Sequence, residues 1–168
     1  FDRFGLHENL LKSLSALGLE TPTPIQEAVI PAIRSGQDIQ ASSETGSGKS
    51  VAFLLPILQR MLEAPAPDTA TRCLVISPTR ELALQLDKHC RDLAKFSPVN
   101  SLAVVGGELL KEQKAKLRKN PEIVVGTPGR LLEHTQKKSL LLEDLEFLVL
   151  DEADRTLDMG FQEEILEI

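Results

Sequence analysis

The sequence predicts an α/β fold: a central parallel β-sheet with helices on both faces. Three observations carry this. Short apolar runs without alternation, Arg72–Ser77 (RCLVIS), Glu122–Gly126 (EIVVG) and Glu146–Leu150 (EFLVL), read as strands buried on both faces. Helical apolar stripes lie between the strands, as in parallel sheets built from right-handed crossovers. Every segment of unusual composition comes directly after a strand, the edge where open α/β sheets bind ligands.

In chain order, Leu10, Leu11, Leu14 and Leu17 share one face of a first helix starting at about residue 7, and Gly18 stops it. Thr23 is a candidate N-cap with Pro24 at the first helical position. The second helix then carries Ile25, Val29, Ala32 and Ile33 as its stripe, with Pro31 expected to kink it or tighten its end, and Gly36 closing it. Asp38–Ser42 (DIQAS) is assigned as the strand before the glycine-rich loop, although its apolar signal is weak. Ala52, Phe53, Leu54, Leu55, Ile57 and Leu58 place the next helix from near Gly48, and Ala64–Asp68 is a surface connection. RCLVIS stops at Pro78-Thr79, and a helix with Ala83, Leu86, Cys90 and Leu93 on one face comes next. Ser101–Val105 (SLAVV) is a strand ended by Gly106-Gly107, and residues 109–120 form a basic helix. EIVVG ends at Thr127-Pro128-Gly129, and residues 130–138 are helical. EFLVL runs into Asp151-Glu152-Ala153-Asp154, and Ile165 and Leu166 belong to a last short helix.

With 168 residues, 42% of them hydrophobic, the chain makes one domain with a real core. A net charge of −6 argues against a globally basic nucleic-acid binder but leaves room for a local site of a few arginines and helix N-termini. Aromatics are 4%, with no Trp or Tyr, which argues against a base-stacking platform of the single-strand-binding type. No apolar run approaches the ~20 residues that span a bilayer. The start Phe1-Asp2-Arg3-Phe4 lacks a signal pattern, so an intracellular location, cytoplasm or nucleus, is expected. Cys73 and Cys90 sit in apolar patterns and read as reduced core thiols, and His7, His89 and His134 are too scattered for a metal cluster.

The chemistry concentrates in Glu44-Thr45-Gly46-Ser47-Gly48-Lys49-Ser50. Two glycines two apart let the backbone turn tightly and bring its N–H groups to a ligand. A helix opening at that turn adds its dipole, so the site favours an anion. Lys49 supplies a point charge and Ser50 a hydroxyl, which points to a nucleoside triphosphate with Mg²⁺. Alone, the stretch could be a flexible turn with a solvated lysine, and Asp151 or Glu152 alone a solvated loop carboxylate. Together they form a phosphate loop with a strand ending in two acids. Mg²⁺ wants hard oxygen ligands, which Ser50 and Asp151 can supply, directly or through water. Glu152 is then free to orient and deprotonate an attacking water.

In family order and at family-like spacing, PTPIQ (22–26), ETGSGKS (44–50), PTRELA (78–83), Gly106-Gly107, TPGR (127–130) and DEADRTLDMGF (151–161) give a chain that strongly resembles the DEAD-box ATP-dependent RNA helicases over nearly its whole length. The resemblance implies a RecA-like P-loop NTPase domain, the first of two, that uses ATP and Mg²⁺. It implies nucleotide binding by Phe1, Leu19, Gln26, Thr45, Gly46, Ser47, Gly48, Lys49 and Ser50, with Gln26 reading the adenine edge. For Phe1 and Leu19, core anchoring of the first helix is an equal alternative to base contact. Lys49, Asp151 and Glu152 are implied as catalytic, and Ser50 and Asp151 as Mg²⁺ ligands. Pro78, Thr79, Arg80, Gly107, Thr127 and Arg130 are similar to residues that grip the RNA sugar-phosphate backbone without reading sequence. Arg80 and Arg130 could instead pair with nearby acids such as Glu81 or Glu133. Asp154 resembles the acid that links the nucleotide site to other motifs. The basic run Lys111, Lys114, Lys116, Arg118 and Lys119 reads as a solvated helix face. Ser43 stands where the family usually has alanine, and Ser50 where threonine is commoner. The sequence stops at Ile168, before the Ser-Ala-Thr motif, so residues 1–168 are read as a truncated first domain. The second RecA-like domain, with its arginine finger, is the expected partner, and the protein is expected to be a monomer. A bare nucleotide-binding module and a P-loop NTPase acting on DNA are the competing readings; PTPIQ and the full acidic tetrad favour RNA over DNA.

Overall fold

The computed structural model describes residues 1–42, 48–65 and 70–168. Four strands, β1 (Cys73–Ile76), β2 (Ser101–Val104), β3 (Ile123–Gly126) and β4 (Phe147–Leu150), form one all-parallel sheet in the order β2-β3-β1-β4. The helices are α1 (Glu8–Ala16), α2 (Pro24–Arg34), α3 (Lys49–Glu63), α4 (Arg80–Leu93), α5 (Leu110–Leu117), α6 (Pro128–Gln136), α7 (Ala153–Asp158) and α8 (Gln162–Glu167), after a 3-10 turn at Asp2–Phe4. None of the helices searched among the described residues is long and apolar enough to cross a membrane.

The chain divides into two compact units: Phe1–Ala66 with His89–Val99, and Pro67–Lys88 with Asn100–Ile168. In the first, α2 packs on α3. α2 starts at a capping box: the Thr23 hydroxyl accepts from the Gln26 N–H, and the Gln26 side chain accepts from the Thr23 N–H at 2.9 Å. The helix continues past Pro31 to Arg34, and Gly36, at φ 84°, ends it. α3 is buried almost all round, with Leu54, Leu55, Ile57, Leu58 and Met61 inside. Gln59 on α3 accepts the His7 N–H at 2.6 Å, fastening the start of α1.

The second unit holds the whole sheet. β1 and β3 are buried at every position, as central parallel strands must be. Leu74, Ile76, Val104, Val124, Leu117, Leu131 and Leu140 form one apolar cluster between strands and helices. At the N-terminal ends of the strands, the buried Arg72 guanidinium pairs with Glu122 at 3.5 Å and with Glu146. Burial pushes the Glu122 carboxyl up, and the neighbouring Arg72 charge only partly offsets this. The pairing is in register at the other end: Ile76 lies opposite both Gly126 and Leu150, and Val104 opposite Gly126. All four strands therefore finish on one rung.

One expected strand is corrected. Asp38–Ser42 forms no strand; these residues are exposed, and Ile39 is 40% exposed. A strand is held by a ladder partner and a buried face. DIQAS offers two apolar side chains and pairs with nothing among the described residues. β4 also differs from its sequence pattern. Leu148 and Leu150, which share one face of the strand, are 58% and 43% exposed, and among the described residues β4 is an edge strand paired only with β1. The surface connection expected at residues 64–68 lies partly outside the described residues. α7 was not anticipated: it is short, and Thr156 is its one buried residue.

The rung at Gly126 supplies a test of this packing. A Cβ there would lie 2.5 Å from the Val104 carbonyl oxygen and 2.7 Å from Leu131. Gly126→Ala should lower stability by about 1–3 kcal/mol, the range for overpacking a dense core, measured by urea denaturation. A midpoint equal to the parent's would mean that β2 and β3 do not pack this closely.

Candidate functional site

Thr45, Gly46 and Ser47 of the phosphate loop, with Ser43 and Glu44, lie outside the described residues; the loop is seen from Gly48 onward. Gly48 is the N-cap of α3 at φ 85°, in the left-handed region, and no side chain caps the helix among the described residues. Its missing Cβ is also a steric requirement, since a Cβ would fall well inside contact distance of the Gln26 amide nitrogen. That nitrogen donates to the Gly48 carbonyl at 3.2 Å. Gln26, 2% exposed, thus serves the cap of α2 and holds the start of α3 at once. Lys49 and Ser50 open α3. The Ser50 hydroxyl lies 3.1 Å from Nδ1 of His89, a contact that no motif or spacing in the chain predicts. An uncapped helix start, a cradle that a Cβ would fill, a lysine and a hydroxyl together suit a phosphate anion. Phe1 is half-buried with its ring 6.1 Å from that of Phe4, and the Leu19 N–H donates to Leu14 O at 2.9 Å, closing α1.

In the second unit, the segments after the strands leave the common rung. After β1, Pro78 is buried, and the Thr79 hydroxyl accepts the Leu82 N–H at 3.2 Å, capping α4. Arg80 opens α4 and reaches the Gly106 carbonyl at 3.4 Å. Gly107, at φ 86°, lies directly under this guanidinium, which a Cβ there would push aside. After β3, Thr127 is the N-cap of α6 with Pro128 next, and its N–H donates to Val104 O at 3.3 Å. The Arg130 guanidinium, 17% exposed at the side chain, donates to Glu108 O at 2.7 Å and Gln113 Oε1 at 2.9 Å and pairs with Glu133 at 3.3 Å. Protein acceptors, the expected Glu133 among them, thus occupy much of its fork. The basic run on and after α5 is mostly exposed, in keeping with a solvated face.

After β4, the Asp151 N–H extends the ladder to Ile76 O at 2.9 Å. Glu152 then takes φ 51°, ψ 49°, a left-handed conformation for a residue with a side chain. Such backbone persists only where neighbours hold it. Here Thr156 does so: its N–H and hydroxyl both donate to Glu152 O, at 2.9 and 3.0 Å. Asp154 is exposed in the first turn of α7.

A family model described as DEAD/DEAH box helicase matches residues 23–168. The chain belongs to this family. It is similar along its whole length to a probable ATP-dependent RNA helicase, ddx27, of Dictyostelium discoideum (49% identical, 22% of that protein). It is likewise similar to the ATP-dependent RNA helicases DDX54 of Mus musculus (43%, 19% of that protein) and DRS1 of Lodderomyces elongisporus (45%, 25% of that protein). The chain therefore spans about a fifth to a quarter of these relatives. Family membership agrees with the α/β architecture and its all-parallel sheet.

Besides His89, four residues of this DEAD-box chain escaped the sequence reading. Thr156 steadies the acidic turn. Arg155 lines a cavity of about 500 Å³ with Thr79, Arg80, Glu81, Leu82 and Gln85. Gln113 is a buried polar residue on the stripe that carries Leu117, and that break in the stripe was its one signal. His134 is fully buried beside it, 2.8 Å away. Burial, and then the Arg130 charge, push its pKa down.

The Gly48–Gln26 contact makes a measurable prediction. Gly48→Ala should cost about 1–2 kcal/mol, from left-handed strain plus the clash. Part of that cost should vanish in the background of Gln26→Ala, because the two changes share one contact. Strict additivity by denaturant titration would show that the two side chains do not meet.

Proposed function

We propose that the chain is the ATP- and Mg²⁺-binding domain of an ATP-dependent RNA helicase, coupling ATP hydrolysis to local unwinding or remodelling of RNA. The observation that carries this reading is the common rung: chemistry-bearing segments leave from one edge of a parallel sheet, in a chain that belongs to the DEAD/DEAH box helicases.

In this reading Thr45, Gly46, Ser47 and Gly48 cradle the phosphates through backbone N–H groups, and Lys49 places its ammonium on the outer ones. Ser50 and Asp151 supply hard oxygens suited to Mg²⁺. When bound, the ion offsets phosphate charge. The Glu152 carboxylate accepts a proton from the attacking water. Gln26 has one Oε1 lone pair and one Nε2 proton left after its bonds to Thr23 and Gly48. Those two match the N6 amino group and N7 of adenine, whereas guanine presents two acceptors there, O6 and N7, and leaves the Gln26 oxygen without a donor. Phe1 and Leu19 contribute apolar surface to the base.

Pro78, Thr79, Arg80, Gly107, Thr127 and Arg130 form the RNA side, through hydroxyl, N–H and cationic contacts to sugar and phosphate. Such contacts carry no base information, so binding is not sequence-specific. A second RecA-like domain, with an arginine finger worth ~10³–10⁵ in rate, completes the working enzyme. The protein functions as a monomer inside the cell.

In the full-length protein, Glu152→Gln should lower hydrolysis by roughly 10²–10⁴, the usual contribution of a general base, while Mg-ATP still binds by calorimetry. Lys49→Ala should instead weaken Mg-ATP binding itself. Hydrolysis near the parent rate in Glu152→Gln would assign the base elsewhere, and unchanged affinity in a folded Lys49→Ala would remove the phosphate assignment.

A further inference from the structure

We infer that Gln113 is a positioning residue that ties the Gly106-Gly107 loop to the start of α6, so that the two segments meet an RNA backbone as one preformed surface. This rests on the RNA-backbone reading and adds a residue to it.

Gln113 is 1% exposed on α5. Its Nε2 donates to Val105 O at 2.8 Å, just before the two glycines, and lies 3.4 Å from a Glu108 carboxylate oxygen, just after them. Those acceptors fix which end of the amide is nitrogen. Its Oε1 must therefore face α6, where it accepts from Arg130 Nη1 at 2.9 Å and from His134 Nε2 at 2.8 Å. Every donor and acceptor of the amide is used. Arg130 closes the circuit by donating to the Glu108 carbonyl. Four residues, Val105 and Glu108 from one strand-end segment and Arg130 and His134 from the other, are thereby locked through one buried side chain.

The same geometry fixes the state of His134. Its Nε2 must carry the proton, because Oε1 of Gln113 can only accept. Nδ1 is then bare, buried and without a hydrogen-bond partner. Arg130, Lys114 and Lys137 oppose a second proton, and Glu133 alone favours it. Burial and these cations hold the folded pKa below the ordinary 6.5. As pH falls below that value, the unfolded chain takes a proton that the folded network resists, so the locked arrangement loses stability on the acid side.

The test measures three quantities on the chain: affinity for a fluorescein-labelled uridine dodecamer by anisotropy, affinity for Mg-ATP by calorimetry, and the thermal midpoint. Gln113→Leu should bind the dodecamer about tenfold more weakly, the equivalent of losing roughly one net buried hydrogen bond, with Mg-ATP affinity unchanged. The parent's dodecamer affinity should fall between pH 7.5 and 5.5. His134→Gln, which keeps an N–H donor but cannot titrate, should flatten that fall. A folded Gln113→Leu that binds the dodecamer as the parent does overturns the inference alone. So does a His134→Gln that keeps the parent's pH profile, and this second variant decides the matter if Gln113→Leu fails to fold. A parent chain that does not bind the dodecamer at all overturns the RNA reading, and this inference with it.

Discussion

Parallel pairing in register is the constraint on which the sheet unit depends. Because Ile76, Val104, Gly126 and Leu150 share a rung, the residues after them emerge side by side. Fixing loops from distant stretches of chain would otherwise cost backbone entropy for every one of them. Here the sheet's hydrogen-bond ladder, needed for folding anyway, does most of that ordering. Gly126 shows how tight the arrangement is: it sits between β1 and β2 positions where one extra methyl group meets the Val104 carbonyl.

Beyond the rung, single side chains finish the positioning. The Arg80 guanidinium overlies Gly107 and reaches the Gly106 carbonyl, and the absence of a side chain at Gly107, whose φ is left-handed, leaves room for that approach. Gln26 plays the corresponding part in the other unit, bonding a helix cap and the glycine that starts α3. Glu152 is positioned through its backbone instead. Its left-handed conformation is held by the ladder bond of Asp151 on one side and by Thr156 on the other. Strain kept in place by neighbours on both sides is characteristic of residues whose direction matters to function.

Much of this was legible in the residues. β1 and β3 could be read because burial on both faces leaves an unbroken apolar run. α2 could be read because Thr23-Pro24 is a cap with a mechanism, and the predicted face of α4, Ala83, Leu86, Cys90 and Leu93, is buried at all four positions. DIQAS could not, because its assignment came from the glycine-rich loop beyond it rather than from its own side chains. The open face of β4 was invisible for the converse reason: an apolar run does not say whether its neighbours are present. Gln113 hid because a buried amide looks, in sequence, much like any surface polar residue on a basic helix, and His134 because a lone histidine on α6 carries no spacing that marks it as buried. The roles of Gln26 and the strand-end residues were legible only through family resemblance; no periodicity assigns a base edge or a phosphate.

The central claim is that one edge of the sheet meets the RNA backbone. Amide chemical-shift mapping of the isotope-labelled chain with a uridine oligonucleotide tests it most directly. The account predicts that the largest shifts fall at Thr79, Arg80, Gly106, Gly107, Thr127 and Gly129, and that raising salt weakens them together. Shifts centred instead on the opposite strand ends, at Arg72, Asn100, Glu122 and Glu146, would contradict it.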